Sequence, residues 1–129
     1  RVANSGTVFV TIADCDKEEA LPLIRRFYDL GFNIEATEGT AKFLKNHGIR
    51  TRVKRKISEG SEEILDSIRR GYVSYVINTR DVSSTSSHSD GYEIRRCAVE
   101  NNVSIFTSLD TVRVLLDVLE EITISISTI

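Results

Sequence analysis

Six residues near the amino end, Val8-Phe9-Val10-Thr11-Ile12-Ala13, form an almost unbroken apolar run rich in β-branched and aromatic side chains. A strand with one wet face alternates polar and apolar residues. A run without a polar face belongs to a sheet covered on both sides, which points to a parallel sheet in an α/β protein. A helical pattern follows it, with Asp16 at the N-cap position, Glu19 three residues on, and Leu21, Ile24, Phe27 and Tyr28 as the buried stripe. Gly31 ends the stripe. Pro22 lies inside it, so this helix is expected to start late or to bend near Pro22.

The strand-then-helix couplet recurs along the chain. Phe32 to Ala36 reads as the second strand and Ala41 to His47 as the second helix, with Phe43 and Leu44 inward and Gly48 as the stop. Thr51-Arg52-Val53-Lys54 reads as a short strand, placed outermost because its alternating charges need a wet margin. Glu62 to Arg70 carries Ile64, Leu65 and Ile68 at helical spacing, with acids first, arginines last and Gly71 as the stop. Val73 to Ile77 is a further buried strand. The Ser-rich segment Asp81 to Gly91 reads as a mobile loop. A helix over Tyr92 to Asn101, a strand over Ser104 to Phe106 and an amphipathic helix from Ser108 to Glu121 complete the series. Ile122, Ile124 and Ile126 alternate with Thr and Ser, a pattern suited to a last strand or to a tail lying along the body.

Five strands alternating with helices predict a three-layer α/β/α sandwich around a five-stranded, mainly parallel sheet with right-handed crossovers. At 129 residues the chain has room for one sizeable core, so a single domain is expected over residues 1–129, with residues 1–6 an irregular lead-in and 122–129 a tail. The chain contains no Met, so it reads either as a piece of a longer protein or as one that has lost its initiator. The composition is that of a soluble globular domain, without a bilayer-length apolar run or a signal-like start, and a cytoplasmic location is expected. A formal charge of -2 argues against a broad nucleic-acid-binding face, so any anion site must be local. Cys15 and Cys97 lack metal-ligand spacing and read as plain thiols.

Loop-borne polar residues gather where such sheets bind ligands, beyond the carboxyl ends of the strands. Lys17 follows the first strand, Thr37-Glu38-Gly39-Thr40 the second, Lys56 the third, and Asn78-Thr79 the fourth. Backbone N–H groups at a helix start, hydroxyls, a close-approach Gly and two ammonium groups suit a phosphate. An Asn amide, which both donates and accepts, suits a sugar or base. No nucleophile paired with a base and no metal-ligand cluster is evident. His47 and His88 read as surface histidines, which predicts binding without chemistry, with neither catalytic residues nor a cofactor in this domain.

These residues, taken in order, resemble a known family. Thr11 with Asp16-Lys17-Glu18, Gly31-Phe32, Ala36-Thr37-Glu38-Gly39-Thr40-Ala41, Lys56-Ile57-Ser58-Glu59-Gly60, Ile77-Asn78-Thr79 and Ile94-Arg95-Arg96 are similar to motifs of the C-terminal allosteric domain of the carbamoyl-phosphate synthase large subunit, which has the methylglyoxal-synthase-like fold. The similarity runs from Gly6 to about Glu120. It implies a regulatory module of a glutamine-dependent ligase of pyrimidine and arginine biosynthesis that uses ATP and Mg elsewhere. Its effector is implied to be UMP, IMP or phosphoribosyl pyrophosphate (PRPP). The partners implied are the rest of the large subunit and the glutaminase small subunit, with self-association and with neither nucleic acid nor membrane. By resemblance, Thr11, Lys17, Thr37, Gly39, Thr40 and Lys56 hold the effector phosphate. Asn78, Thr79 and Arg80 face the ribose or base, and Ile57, Ile64, Asp90 and Ile94 wall the base pocket. Arg80 stands where well-known members carry a small hydroxyl residue, and a guanidinium there suits the second phosphate of PRPP.

Two relatives share that fold. Methylglyoxal synthase acts on dihydroxyacetone phosphate with a general-base Asp after a Gly-Gly pair, where this chain has Glu59-Gly60-Ser61. The cyclohydrolase domain of purine synthesis shares the start of the second helix, but this chain lacks the long substrate-binding segment that follows it. A scaffold domain that takes no effector is the remaining alternative.

Overall fold

The computed structural model describes residues 5–79 and 90–127, with side chains to Ser125. Five strands, β1 (Thr7–Thr11), β2 (Asn33–Ala36), β3 (Arg52–Val53), β4 (Val73–Asn78) and β5 (Ser104–Phe106), form one sheet in the order β3-β2-β1-β4-β5. Every pairing is parallel. The helices are α1 (Lys17–Asp29), α2 (Glu38–Asn46), α3 (Glu63–Arg69), α4 (Asp90–Glu100) and α5 (Leu109–Ser127). Two single turns of 3-10 helix, Asp14–Asp16 and Ile57–Glu59, precede α1 and α3.

Alternation along the strands divides the side chains between two cores. Val8, Val10, Ile34, Ala36, Tyr75 and Ile77 meet α1, α2 and α5 through Phe27, Leu44 and Leu116. Phe9 and Val76 point the other way and pack against Ile64 and Ile68 of α3 and Ile94 and Ala98 of α4. This is the expected three-layer sandwich, buried on both faces at β1 and β4. β3 is the outermost strand, and both of its residues are exposed.

Several boundaries differ from those expected. Asp16 occupies the N-cap of α1 but its side chain makes no capping bond. The helix begins at Lys17, without delay, and continues through Pro22. Proline at that position removes the N–H that would bond the Glu18 carbonyl, and Glu18 is exposed, which leaves that carbonyl free to accept from solvent. α2 starts three residues early, at Glu38, which puts Gly39 and Thr40 in its first turn instead of in a loop. The tail adds no strand: Ile122 and Ile124 continue α5, where the Thr123 hydroxyl donates back to the Leu119 carbonyl at 2.9 Å. Arg80, His88 and nearly all of the Ser-rich segment lie outside the described residues. Cys15 is exposed, while Cys97 is buried and its thiol pKa is pushed up by that burial. Among the described residues no helix is long and apolar enough to cross a membrane.

Candidate functional site

Strand order reverses between β1 and β4, so their carboxyl ends flank the crevice where doubly wound sheets bind ligands. β1 leaves the sheet at Thr11, and the next two backbone amides are caught from either side. The Ile12 N–H donates to the Thr40 hydroxyl in the first turn of α2 at 3.3 Å. The Ala13 N–H donates to the Thr79 hydroxyl just past β4 at 2.9 Å. The Thr79 N–H in turn donates to the Thr11 carbonyl at 3.2 Å, extending the β1–β4 ladder by one rung. Two buried threonines from opposite neighbours thus clamp the β1–α1 turn.

That clamp sets the position of Lys17, the first residue of α1 and half-buried. Its ammonium forms an ion pair with Asp14 across the 3-10 turn. It also overhangs Gly39, where an added Cβ would lie 3.9 Å from Lys17 Nζ. Thr37 is the N-cap of α2 with an extended backbone, and its side chain makes no capping bond. Its carbonyl accepts the Ala41 N–H at 2.8 Å. The N–H groups of Glu38, Gly39 and Thr40 therefore lie in the first turn, where a helix has no internal acceptors. Of the residues singled out in the sequence, Thr11, Lys17, Thr37, Gly39, Thr40 and Thr79 lie together around this turn.

The chemistry of this rim follows from hydrogen-bond direction. A hydroxyl that accepts a backbone N–H keeps its own proton to donate. Thr40 and Thr79 each accept one, so each presents a donor. Together with the ammonium and the α2 N-terminus they make a donor-rich rim suited to an anion.

Other predicted residues stand apart from this group. Lys56 follows β3 on the same edge of the sheet but is exposed, and its backbone N–H donates to the Glu59 carboxylate at 3.3 Å. Among the described residues its side chain contacts none of the Lys17, Gly39 and Thr40 cluster. Asp90 receives the Ser58 N–H at 3.1 Å and the Ser58 hydroxyl at 3.4 Å, so it fastens the 57–59 turn to the start of α4. Ile64 and Ile94 are each only 1% exposed, and they serve the core and offer almost no surface to a ligand. Ile57 packs beside them with part of its surface open.

Asn78, the last residue of β4, is buried, and its amide nitrogen donates to the Gly91 carbonyl at 3.3 Å. Sequence reasoning missed how tightly this corner is built. A Cβ added at Gly91 would stand 3.1 Å from both Asn78 Nδ2 and Arg95 Nη1, so a larger residue between β4 and α4 there would have to push these side chains aside. The glycine next to the start of the helix is the signal that could have found it.

Residues 19–107 match the MGS-like domain family. Among solved structures, the fold is similar to methylglyoxal synthase from Elizabethkingia anophelis NUHP1, with a TM-score of 0.72 and 20% identity over 89% of this chain and 79% of that one. It is also similar to ForH, with a TM-score of 0.65 and 18% identity over 91% and 80% of the two chains. At such identities the two structures establish a shared fold. The family match spans more than half of the chain, which therefore belongs to the MGS-like domain family.

Proposed function

We propose that this chain is an effector-binding regulatory domain that takes a phosphorylated nucleotide or sugar phosphate, of the kind found in the large subunit of carbamoyl-phosphate synthase. The observation that carries this proposal is the double threonine clamp, which brings Lys17 over the open first turn of α2. In this assignment the phosphate contacts Lys17, Gly39, Thr37 and Thr40, with Thr11 and Thr79 behind it. Asn78 reads the sugar or base, and Lys56, on the same edge of the sheet, is a further candidate for the phosphate. UMP, IMP and PRPP are the candidate effectors. The rest of the large subunit, with its ATP and Mg chemistry, and the glutaminase subunit are the candidate partners. Regulation then requires only that the ligand prefer one conformation of the whole enzyme, by typically ~1–3 kcal/mol.

A second reading is favoured by the fold shared with the Elizabethkingia enzyme: a lyase acting on dihydroxyacetone phosphate. A lyase of this kind needs a carboxylate base beside the phosphate site. Asp14 stands beside the cradle, paired with Lys17, while the carboxylates near the expected base position are engaged elsewhere. Ser61 stands where that base is expected, and its hydroxyl accepts the Glu63 N–H at 3.2 Å. Glu62 lies 3.8 Å from Arg69, and Glu63 accepts from Arg55. This pattern supports binding over catalysis.

Titration calorimetry with UMP, IMP, PRPP and dihydroxyacetone phosphate separates the readings. Saturable heat with one of the first three, weakened at least about tenfold by Lys17→Ala, is the expected result. No heat from any of them at about 1 mM would favour a scaffold domain. Methylglyoxal released from dihydroxyacetone phosphate would establish the lyase.

A further inference from the structure

The face of the sheet that carries α3 and α4 is covered only over β1, β4 and β5. At the β2–β3 margin the residues on that face are Glu35 and Arg52, register partners, instead of core side chains. A cavity of about 530 Å³ opens there against α3, with Thr7, Glu35, Arg52, Lys54, Arg70 and Tyr72 among its walls. Glu63 and Asp66 also line it, but their carboxylates are paired with Arg55 and Arg69. Thr7 begins β1 and Tyr72 precedes β4, so this groove reaches the amino edge of the sheet, away from the Lys17 cradle.

Glu35 is the anomaly. Its side chain is only 5% exposed, yet its carboxylate has long and one-sided partners: Arg52 Nη1 at 3.4 Å and Lys54 Nζ at 3.9 Å, both on Oε2. Oε1 is buried and has no hydrogen-bond partner among the described residues. An ionised carboxylate offers about four acceptor positions, and its terminal torsion is broad enough to exchange the two oxygens. Most of that capacity is unfilled, and the side chain that carries it lines the groove. At the rim, Arg70 is exposed and has no ion-pair partner among the described residues, and Tyr72 is 61% exposed.

Charge selects the ligand. A simple cation approaching Glu35 meets Arg52, Lys54 and Arg70, while a simple anion drawn to those groups meets the buried carboxylate. A molecule carrying both signs satisfies both. We propose that this groove binds a small zwitterion, its ammonium donating to Glu35 and its anionic end resting on Arg52 and Arg70, with a short apolar middle against Tyr72.

The test is a chemical-shift titration of the ¹⁵N-labelled chain with 4-aminobutanoate and 6-aminohexanoate, alongside butylamine and butanoate as single-charge controls. Saturable shifts at the Thr7, Arg52, Ser67 and Tyr72 amides with an amino acid probe, at least about fivefold weaker with either control, are expected. Arg70→Gln, a change at an exposed site, and Glu35→Gln should each weaken the response by a similar factor. Four results would overturn the proposal: no saturation by either amino acid probe at about 10 mM, equal binding of a single-charge control, an unchanged response in Arg70→Gln, or the same shifts appearing on raising protein concentration alone, which would identify a second copy as the occupant.

Discussion

Replacing Thr79 with Val keeps the shape and the β-branch of the side chain but removes the oxygen that accepts the Ala13 N–H at 2.9 Å. Thr79 is 8% exposed and Ala13 half-buried, so the abandoned amide is only partly rehydrated. A net hydrogen bond is worth about 0.5–1.5 kcal/mol, and an orphaned buried donor costs about 1–3 kcal/mol, which puts the expected loss near 1 kcal/mol and below about 2. For a domain of this size 1 kcal/mol lowers Tm by about 3–5 °C. Because the bond holds the β1–α1 turn, the loss should also be local: protection of the Ala13 amide against hydrogen exchange should fall about fivefold or more. Thr79→Ser, which retains the oxygen, should behave like the parent. Thr40→Val removes the neighbouring clamp on Ile12, and since both act on one turn the two changes should be non-additive by about 0.5 kcal/mol or more. Urea denaturation followed by circular dichroism gives the energies. If Thr79→Val matched the parent in both stability and Ala13 exchange, the clamp would not hold the turn, and the account of how Lys17 is positioned would fail with it.

Three further predictions use other parts of the molecule. Phe27 is fully buried, with the Phe32 ring 5.5 Å away edge-on, so Phe27→Ala should cost about 3–5 kcal/mol in urea denaturation. Arg26 donates to Glu120 at 2.7 and 2.9 Å and joins α1 to α5, and these bonds hold the Glu120 carboxyl below its ordinary pKa of 4.5. A lowered carboxylate pKa stabilises the fold above the ordinary value and ceases to do so as pH falls through the folded one, so Glu120→Gln should cost up to about 1 kcal/mol at pH 7, discounted for its partly exposed setting, with the difference shrinking as the pH falls below the ordinary carboxyl range. Asp14 competes with an incoming anion for the Lys17 ammonium. Asp14→Asn should therefore tighten UMP binding by about two- to fivefold in calorimetry, within the range of an exposed ion pair, and unchanged affinity would mean that Lys17 does not meet the ligand.

Much of the architecture was legible because burial on both faces leaves a plain mark: Val8 to Val10 and Val73 to Ile77 lack a polar face and occupy the middle of the sheet, while the charged Arg52–Val53 pair lies at its edge. Local chemistry was less legible where two preferences competed. Gly39 and Thr40 are poor helix formers, yet they lie in the first turn of α2 because Thr37 starts it and Ala41 to Leu44 can bury only if the helix is already formed. The alternating Ile and Thr after Glu121 suited a last strand or a tail along the body, but among the described residues they continue α5, which satisfies their backbone within one segment. Cradle residues were found through their place after each strand. Their partners were not, since no sequence pattern announces that a threonine in one turn will accept an amide from another.

That last point bears on how the site discriminates among ligands. Toward β2 the available groups are donors: the Lys17 ammonium, the first amides of α2 and the Thr40 hydroxyl, whose oxygen already holds the Ile12 amide. Toward β4 the balance changes. Thr79 is likewise left with a proton to give, but Asn78 uses its amide nitrogen on the Gly91 carbonyl and keeps its carbonyl oxygen as an acceptor. A ligand that is anionic at both ends, as PRPP is, meets that acceptor at the β4 side, so among the proposed effectors the arrangement favours UMP or IMP, and a ligand that is neutral throughout leaves the cation and helix terminus uncompensated. Under the proposed function, a ligand that used every group would have an anionic end over Gly39 and an N–H or O–H donor beside Asn78, the polarity of a phosphorylated nucleoside. This polarity is fixed by three backbone-directed hydrogen bonds, so it is present in the fold before any ligand arrives.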